Sequence, residues 1–298
     1  MHGTDGRIGD MKKVISFLGL ALLGVCAGEQ VGEAKNALPP VGEVRKALLG
    51  PGASVKKESK EVSAEEAALR KAAEKGDAEA QYRLARLIKP EDPSSGVCCM
   101  NRGDRVNPSF VLMKRVSSES DIEAAKWYLA AAKQGHAMAQ YCVALCYDYG
   151  DGVDEDKAEC VRWYRAAADQ GHILAQFNLA SYYYIGQGVE KDVQEAIRRF
   201  RLAAEAGEVR AQCNMGLFYV QGEDVEKNLE EAVRWFRLAA DQGDADGEYN
   251  LGLCYEDGEG VPADREEALK WYHKAAEKGH KLANRRLEEL EPKPQEKP

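Results

Sequence analysis

Between about residue 63 and residue 290 the chain alternates short amphipathic blocks with glycine-rich breaks. In the block "ILAQFNLASYYY" from Ile173, Ala175, Leu179 and Tyr182 recur at helical spacing on one side, with Gln176, Ala180 and Tyr183 beside them. Gly150, Gly186, Gly222 and Gly258 close the corresponding blocks, where a helix C-terminus favours a left-handed residue. Gly152, Gly188 and Gly260 extend the turn; Asp224 takes that place in one copy and is expected to strain it slightly. A second block then opens on a polar residue ahead of a glutamate, at Asp156/Glu159, Asp192/Glu195, Asn228/Glu231 and Asp264/Glu267, with Ser120/Glu123 and Ser63/Glu66 upstream. Each pair has the form of a capping box, in which the cap oxygen accepts a first-turn amide proton and the glutamate reaches back. These second blocks carry an aromatic pair and an Ala-Ala pair, small enough for helices to approach closely, and end at Gly135, Gly171, Gly207, Gly243 or Gly279. The pattern predicts an all-α chain of paired helices.

The pairs are copies of one unit. "WYLAAAKQGH" from Trp127 returns as "WYRAAADQGH" from Trp163, "RFRLAAEAGE" from Arg199, "WFRLAADQGD" from Trp235 and "WYHKAAEKGH" from Trp271, a period of 36 residues. Whole units run over residues 137–172, 173–208, 209–244 and 245–280. Trp127, Trp163, Trp235 and Trp271 share one slot, as a ring buried once per unit would. His136, His172 and His280 share theirs with Asp77, Glu208 and Asp244, which marks a joint between helices rather than a catalyst. One hairpin cannot bury both its faces, so the copies must stack and leave a long surface.

The pattern Ala-Gln-x-Asn-Leu-Ala/Gly-x-x-Tyr, then Gly-x-Gly-Val, then Ala-x-x-Trp-Tyr/Phe-x-x-Ala-Ala-x-x-Gly, resembles the Sel1-like repeat family, relatives of tetratricopeptide repeats. It is clearest in "AQFNLASYYYIGQGVEKD" (Ala175–Asp192) and over Glu248–His280. The resemblance covers about residues 63–290 and implies a right-handed superhelix (α-solenoid) of antiparallel helix pairs, about five repeats plus terminal caps, whose inner face serves protein–protein interaction. A secreted, cysteine-rich branch of that family pairs cysteines eight positions apart across repeat junctions, and β-lactam binding or hydrolysis has been proposed for it. Here those slots hold Ala132/Gln140, Ala168/Gln176, Ala204/Gln212 and Ala240/Glu248, so the chain departs from that branch.

The ends and one insertion depart from the unit. The first copy, residues 78–136, contains "AEAQYRLARLI" and "DIEAAKWYLAAAKQGH" on either side of an insertion at 89–120; Ala80 and Ala139 are 59 residues apart, 23 more than the period. A long loop in a compact array is usually functional or disordered. Residues 63–77 form an expected N-terminal half-repeat cap, 281–298 a C-terminal capping helix and tail, and 28–62 a linker. From Met11, "MKKVISFLGLALLGVCAGEQ" combines two lysines, an apolar run and a cleavage-like Val25-Cys26-Ala27. Residues 1–27 are therefore expected to be an export signal that sends the mature chain to the periplasm or outside, with a cytoplasmic adaptor as the alternative. Translation starts at Met1 or Met11; the acidic residues Asp5 and Asp10 suit the latter.

A formal net charge of −9 with no clustered Lys/Arg stripe argues against a nucleic-acid partner. Of eight cysteines, seven remain if Cys26 leaves with the leader, and an odd number leaves at least one thiol unpaired or shared between chains. Cys213 and Cys254 replace aromatics of sister repeats and are expected to fill core. Cys146 and Cys160 stand equally far from the intervening turn and form a candidate disulfide. Cys98-Cys99 match no metal template, and neither a metal nor a cofactor is expected. The strings Ser54-Val55-Lys56-Lys57 and Arg102-Gly103-Asp104 are expected to be chance matches.

The candidate binding residues lie on a stripe of each first helix, stepping by four, three and four residues: Arg83 and Arg86, then Met138, Leu145 and Tyr149, then Asn178 and Ser181, then Asn214 and Gln221, then Asn250 and Asp257. Stacked amides can hold a peptide backbone by paired donor and acceptor contacts, or bond to neighbouring helices instead. Cys142 interrupts the asparagine series. The expected molecule is a monomeric, non-enzymatic scaffold for a protein or peptide; a β-lactam-binding or thiol-dependent enzyme is the alternative.

Overall fold

The computed structural model describes residues 66–89 and 117–291. The leader, the linker with Ser54 and Lys57, the cap residue Ser63, most of the insertion with Cys98, Cys99 and Arg102–Asp104, and the final tail lie outside the described residues. Within them every regular segment is α-helical. Helix α1 covers residues 66–74. It is followed by α2 (Ala78–Ile88), α3 (Glu119–Lys133), α4 (Ala137–Tyr149), α5 (Lys157–Ala168) and α6 (Ile173–Ile185). The remaining helices are α7 (Val193–Glu205), α8 (Val209–Gln221), α9 (Leu229–Asp241), α10 (Ala245–Asp257), α11 (Arg265–Glu277) and α12 (Lys281–Leu290). They fall into two compact units, α1–α4 and α5–α12.

In the first unit α3 packs on α2 and on α4. Ala73, Ala80 and Leu84 form a small core under Leu69, Ile88 and Trp127. The roots of the insertion are both fastened to the turn after α4. Lys89, where the chain leaves α2, meets Asp121 at 2.9 Å and Asp151 at 3.0 Å. Ser117, where it returns, donates to the Gly150 carbonyl at 3.0 Å and accepts from the Gly152 amide at 2.9 Å. Burial works against the Asp121 charge, but the Lys89 and Ser118 hydrogen bonds outweigh it and hold the carboxyl at about 2. The insertion is thus a closed excursion that leaves the hairpin intact.

In the second unit the pairs α6/α7, α8/α9 and α10/α11 pack internally, and each first helix also packs on the second helix before it. One core cluster joins Phe177, Phe200, Met215, Phe218 and Trp235, so α6 to α9 share a single layer of rings. Trp163 and Trp235 are buried, and Trp127 and Trp271 half-buried, which places the indoles between helices. The C-terminal α12 closes the stack: Ala283 is buried beside Tyr272 and Ala275, while Asn284, Arg285, Glu288 and Glu289 are exposed.

The caps follow the sequence with one correction. Asp192, Asn228 and Asp264 accept the amide protons of Glu195, Glu231 and Glu267 as expected. Their glutamates turn to cations one turn on: Glu195 to Arg198 and Arg199, Glu231 to Arg234, Glu267 to Lys270. At α3 the N-cap is Ser118, not Ser120. Ser118 and Asp121 form a reciprocal box, and Glu123 binds Arg70 at 2.7 Å instead. Lys89 fixes Asp121 from outside, which selects the earlier of two overlapping Ser-x-x-acid signatures.

The second turn glycine earns its place by close approach. Gly188 has φ +67°, and a Cβ there would lie 2.3 Å from the Lys157 carbonyl oxygen. In the copy carrying Asp224 the Gln194 side chain donates to the Asp224 carbonyl at 3.3 Å, tying that turn to α7.

Candidate binding faces

The joint slot resolves first. Asp77, His136, His172, Glu208, Asp244 and His280 are all N-caps of first helices. Each accepts the amide proton three residues on, the histidines through Nδ1 at 3.1 Å, 3.2 Å and 3.1 Å and the acids through a carboxylate oxygen. An acceptor at that reach is the one property His, Asp and Glu share, which explains why they interchange. The caps are further packed: His136 stacks on Tyr82 and His280 on Tyr249.

A second series staples the repeat junctions. Gln81, Gln140, Gln176 and Gln212 donate to the carbonyls of Ala73, Ala132, Ala168 and Ala204, eight positions back, at 2.7–3.2 Å. These include the slots where the cysteine-rich branch places its disulfides, so an amide hydrogen bond stands where that branch has a covalent bridge. The glutamine oxygens are served in turn by Gln134 on Gln81 and Gln242 on Gln212, each at 2.8 Å. At the last junction Glu248 replaces the glutamine and takes Lys278 at 2.5 Å. In the third repeat Ala206 has no donor to offer. Arg199, which occupies the tryptophan slot, is buried and supplies it, reaching Gln176 Oε1 at 3.2 Å as well as Asp169 and Glu195. Arg198 and Arg199 hold the Glu195 carboxyl down at about 2.

The predicted stripe is split by burial. Arg83, Arg86, Met138, Tyr149 and Asp257 are exposed, and Gln221 is half-buried. Its middle positions turn inward: Leu145 is buried, and Asn214 and Asn250 are only 6% and 7% exposed. Asn178 donates to the Tyr164 hydroxyl on α5 at 3.0 Å, and the Ser181 hydroxyl returns to the Phe177 carbonyl at 3.2 Å. Asn214 and Asn250 are thus buried in the helix packing, and Asn178 is half-buried with its amide on the preceding helix.

A further series escaped the sequence reading. Arg165, Arg201 and Arg237 donate to the hydroxyls of Tyr183, Tyr219 and Tyr255 at 2.7 Å, 3.0 Å and 2.8 Å. Arg165 and Arg201 also lie 5.7 Å and 5.8 Å from the ring centroids. The signal was present in the spacing, since arginine and tyrosine each recur every 36 residues. It was hidden because each partner belongs to a different string of the consensus.

The thiols are packing groups. Cys160 is fully buried and Cys146 partly. Burial pushes the Cys254 thiol up to about 12, and burial together with Asp244 raises Cys213 as well. Cys213 donates to Asp244 at 3.1 Å, tying the α8 core to the cap of α10. Among the described residues no His/Cys/Asp/Glu group is arranged to hold a metal ion, and no helix is long and apolar enough to cross a membrane.

Helical hairpins joined in series by equivalent caps, amide staples and ring layers define an α-solenoid repeat protein. The Sel1 repeat model matches residues 78–89, 117–136, 137–172, 173–208, 209–244 and 245–280, and the chain belongs to that family. It is similar to the crystal structure of a Sel1 repeat protein from Oxalobacter formigenes, with 31% identity over 75% of this chain and 58% of that one and a TM-score of 0.60. It is also similar to c5321, a protective antigen of uropathogenic Escherichia coli strains displaying an SLR fold, with 32% identity over 76% of this chain and 43% of that one and a TM-score of 0.63. The chain thus spans less than two thirds of either relative. No curated protein matches it.

Proposed function

We propose that the chain is a non-enzymatic scaffold that binds a protein or peptide on the first-helix side of its repeats. One observation carries this reading. The slots that hold the fold are repeated nearly unchanged from copy to copy, whereas the last turn of each first helix carries Tyr149, Ile185, Gln221 and Asp257 in turn. Tyr149 and Ile185 are 47% and 42% exposed. Constant scaffolding beneath a varied, partly apolar row is what recognition of one particular partner requires.

The test is a photo-crosslinking residue placed at Tyr149, Gln221 or Asp257 in the cells that make the protein. A discrete adduct from these sites, and none from the exposed Arg198 or Arg234, is expected. Equal labelling from all five would remove the first-helix face as the site. We further propose that the chain acts after export, on the leader-like residues 11–27. N-terminal sequencing of the mature protein should begin near Gly28; a start at Met1 or Met11 refutes export.

A further inference from the structure

The Arg–Tyr series supplies a second surface, on a different side of the molecule from the one proposed above. At helical spacing Tyr183 stands roughly opposite Asn178 and Ser181 around α6, and the same holds for Tyr219 on α8 and Tyr255 on α10. Each rung joins a second helix to the first helix that follows it: α5 to α6, α7 to α8, α9 to α10.

Charge distinguishes these arginines from the others on the same helices. Arg162, Arg198, Arg199 and Arg234 all hold carboxylates. Arg165, Arg201 and Arg237 hold none among the described residues; their side chains meet phenols instead. An acid does stand one turn further on in each case, at Asp169, Glu205 and Asp241. Helical i,i+4 pairing would bring it close. The phenol instead keeps the guanidinium turned away, and Asp169 goes to Arg199. A neutral hydroxyl occupies one edge of each guanidinium and leaves the charge and the remaining donors of its fork unmatched. In a chain of net charge −9, a row of uncompensated cations that is held in place by half-buried rings is preset for anions.

We infer that this row docks an acidic, extended peptide segment, with one carboxylate taken by each of Arg165, Arg201 and Arg237. Second helices of successive repeats are separated by a first helix, so neighbouring rungs stand more than one interhelix spacing of roughly 10 Å apart. An extended chain advances about 3.3 Å per residue, so the carboxylates taken by successive rungs are more than about three residues apart. Three separated cations among exposed acids such as Glu205, Glu226 and Asp241 suit discrete carboxylates better than the continuous charge of a nucleic acid. The row ends where its next position, His273, faces Glu291 at 3.3 Å.

The experiment is fluorescence anisotropy with the full chain and a fluorescein-labelled oligoglutamate peptide, against the same peptide with glutamine. Saturable binding of the glutamate peptide alone, weakened by added salt, is expected. Replacing Arg165, Arg201 and Arg237 together with glutamine should weaken it about tenfold or more, because charge-assisted bidentate contacts are lost. Tyr183→Phe, Tyr219→Phe and Tyr255→Phe in one chain keep rings and charge, and should weaken binding with thermal unfolding little changed. Arg198→Gln with Arg234→Gln should leave binding intact. The inference is overturned if the two peptides bind alike or not at all, if the triple arginine variant binds as the parent does, or if a single-stranded oligonucleotide of equal charge competes equally well. Crosslinks at Tyr149 without peptide binding would overturn this inference while sparing the scaffold reading.

Discussion

The joint slot shows how one backbone need admits several side chains. The His172 imidazole caps α6 only while Nδ1 is unprotonated, since it must accept the Ala175 amide proton. Burial lowers its pKa from 6.5, so the folded state favours the neutral ring and the unfolded chain binds the proton more readily. This stability is complete above the unfolded value and is lost as pH falls from about 6.5 toward the lower folded value. His172→Asp keeps the acceptor without that titration, as Asp77 and Asp244 do. Between pH 7.5 and 5.5 the parent is expected to lose about 1 kcal/mol more than the variant in chemical denaturation, the worth of one N-cap. Arg199 carries a second test. Arg199→Met strands Gln176 Oε1 and leaves Glu195 to Arg198 alone, and should cost about 2–3 kcal/mol. Adding Ala206→Gln restores the donor found at Gln134 and Gln242 and should recover about 1 kcal/mol. A double-mutant cycle measures the coupling, and strict additivity would contradict the assigned replacement. That Arg199 and Ala206 compensate one another was not legible in the sequence, because a broken consensus shows two departures without showing that they touch. The joint slot was legible as a joint through its free substitution, but its chemistry needed the extended backbone that places an acceptor over the next turn.

At the scale of the helix and its turn, the sequence was most informative where a local rule acts alone. Glycine at Gly150, Gly186, Gly222 and Gly258 marked the ends of first helices, and each takes a positive φ. Periodicity was less informative about faces. A stripe stepping by four, three and four residues looks the same whether its middle is open or lies beneath the preceding hairpin, and Asn214 and Asn250 proved to be buried and Asn178 half-buried. Only the neighbouring helix decides that, and it comes from another copy of the unit. The second turn glycine tests the same coupling between copies. Gly188→Ala adds a Cβ to a left-handed backbone and drives it against the Lys157 carbonyl, the first residue of α5 in the preceding hairpin. It should destabilise by about 2–4 kcal/mol, from strain and overpacking together. Gly171→Ala, also left-handed but with open space around its Cβ, should cost only the backbone part, about 1 kcal/mol. Equal losses in thermal unfolding would mean that the turn does not bear on its neighbour.

A stack of hairpins has no single centre, so its stability is a sum of units and of contacts between successive units. The two ends are then the weak points, because a terminal hairpin lacks one neighbour. At the C-terminal end α12 supplies the missing face. It buries Ala283 against Tyr249, Tyr272 and Ala275, with Leu282, Leu287 and Leu290 packed alongside. Arg286 also grips Glu256 on α10 through Nε at 2.8 Å and through a second guanidinium nitrogen, while Tyr272 donates to the same carboxylate at 2.8 Å. Deletion of residues 281–298 should therefore act locally first. Hydrogen exchange is expected to speed up in α10 and α11, whose inner faces lose their cover, while α6 and α7 keep their protection at low denaturant. Arg286→Ala should give the same ordering in weaker form, since the ring contacts remain when the clamp to Glu256 is gone. A uniform loss of protection from α5 to α11 would show that the unit unfolds as one cooperative body, and the additive picture of repeat plus interface would fail for this chain. Exchange that fades with distance from the cut would instead give the length over which one hairpin supports the next. That length also sets how far a partner bound at one end can stabilise the row of surface residues beyond its own footprint.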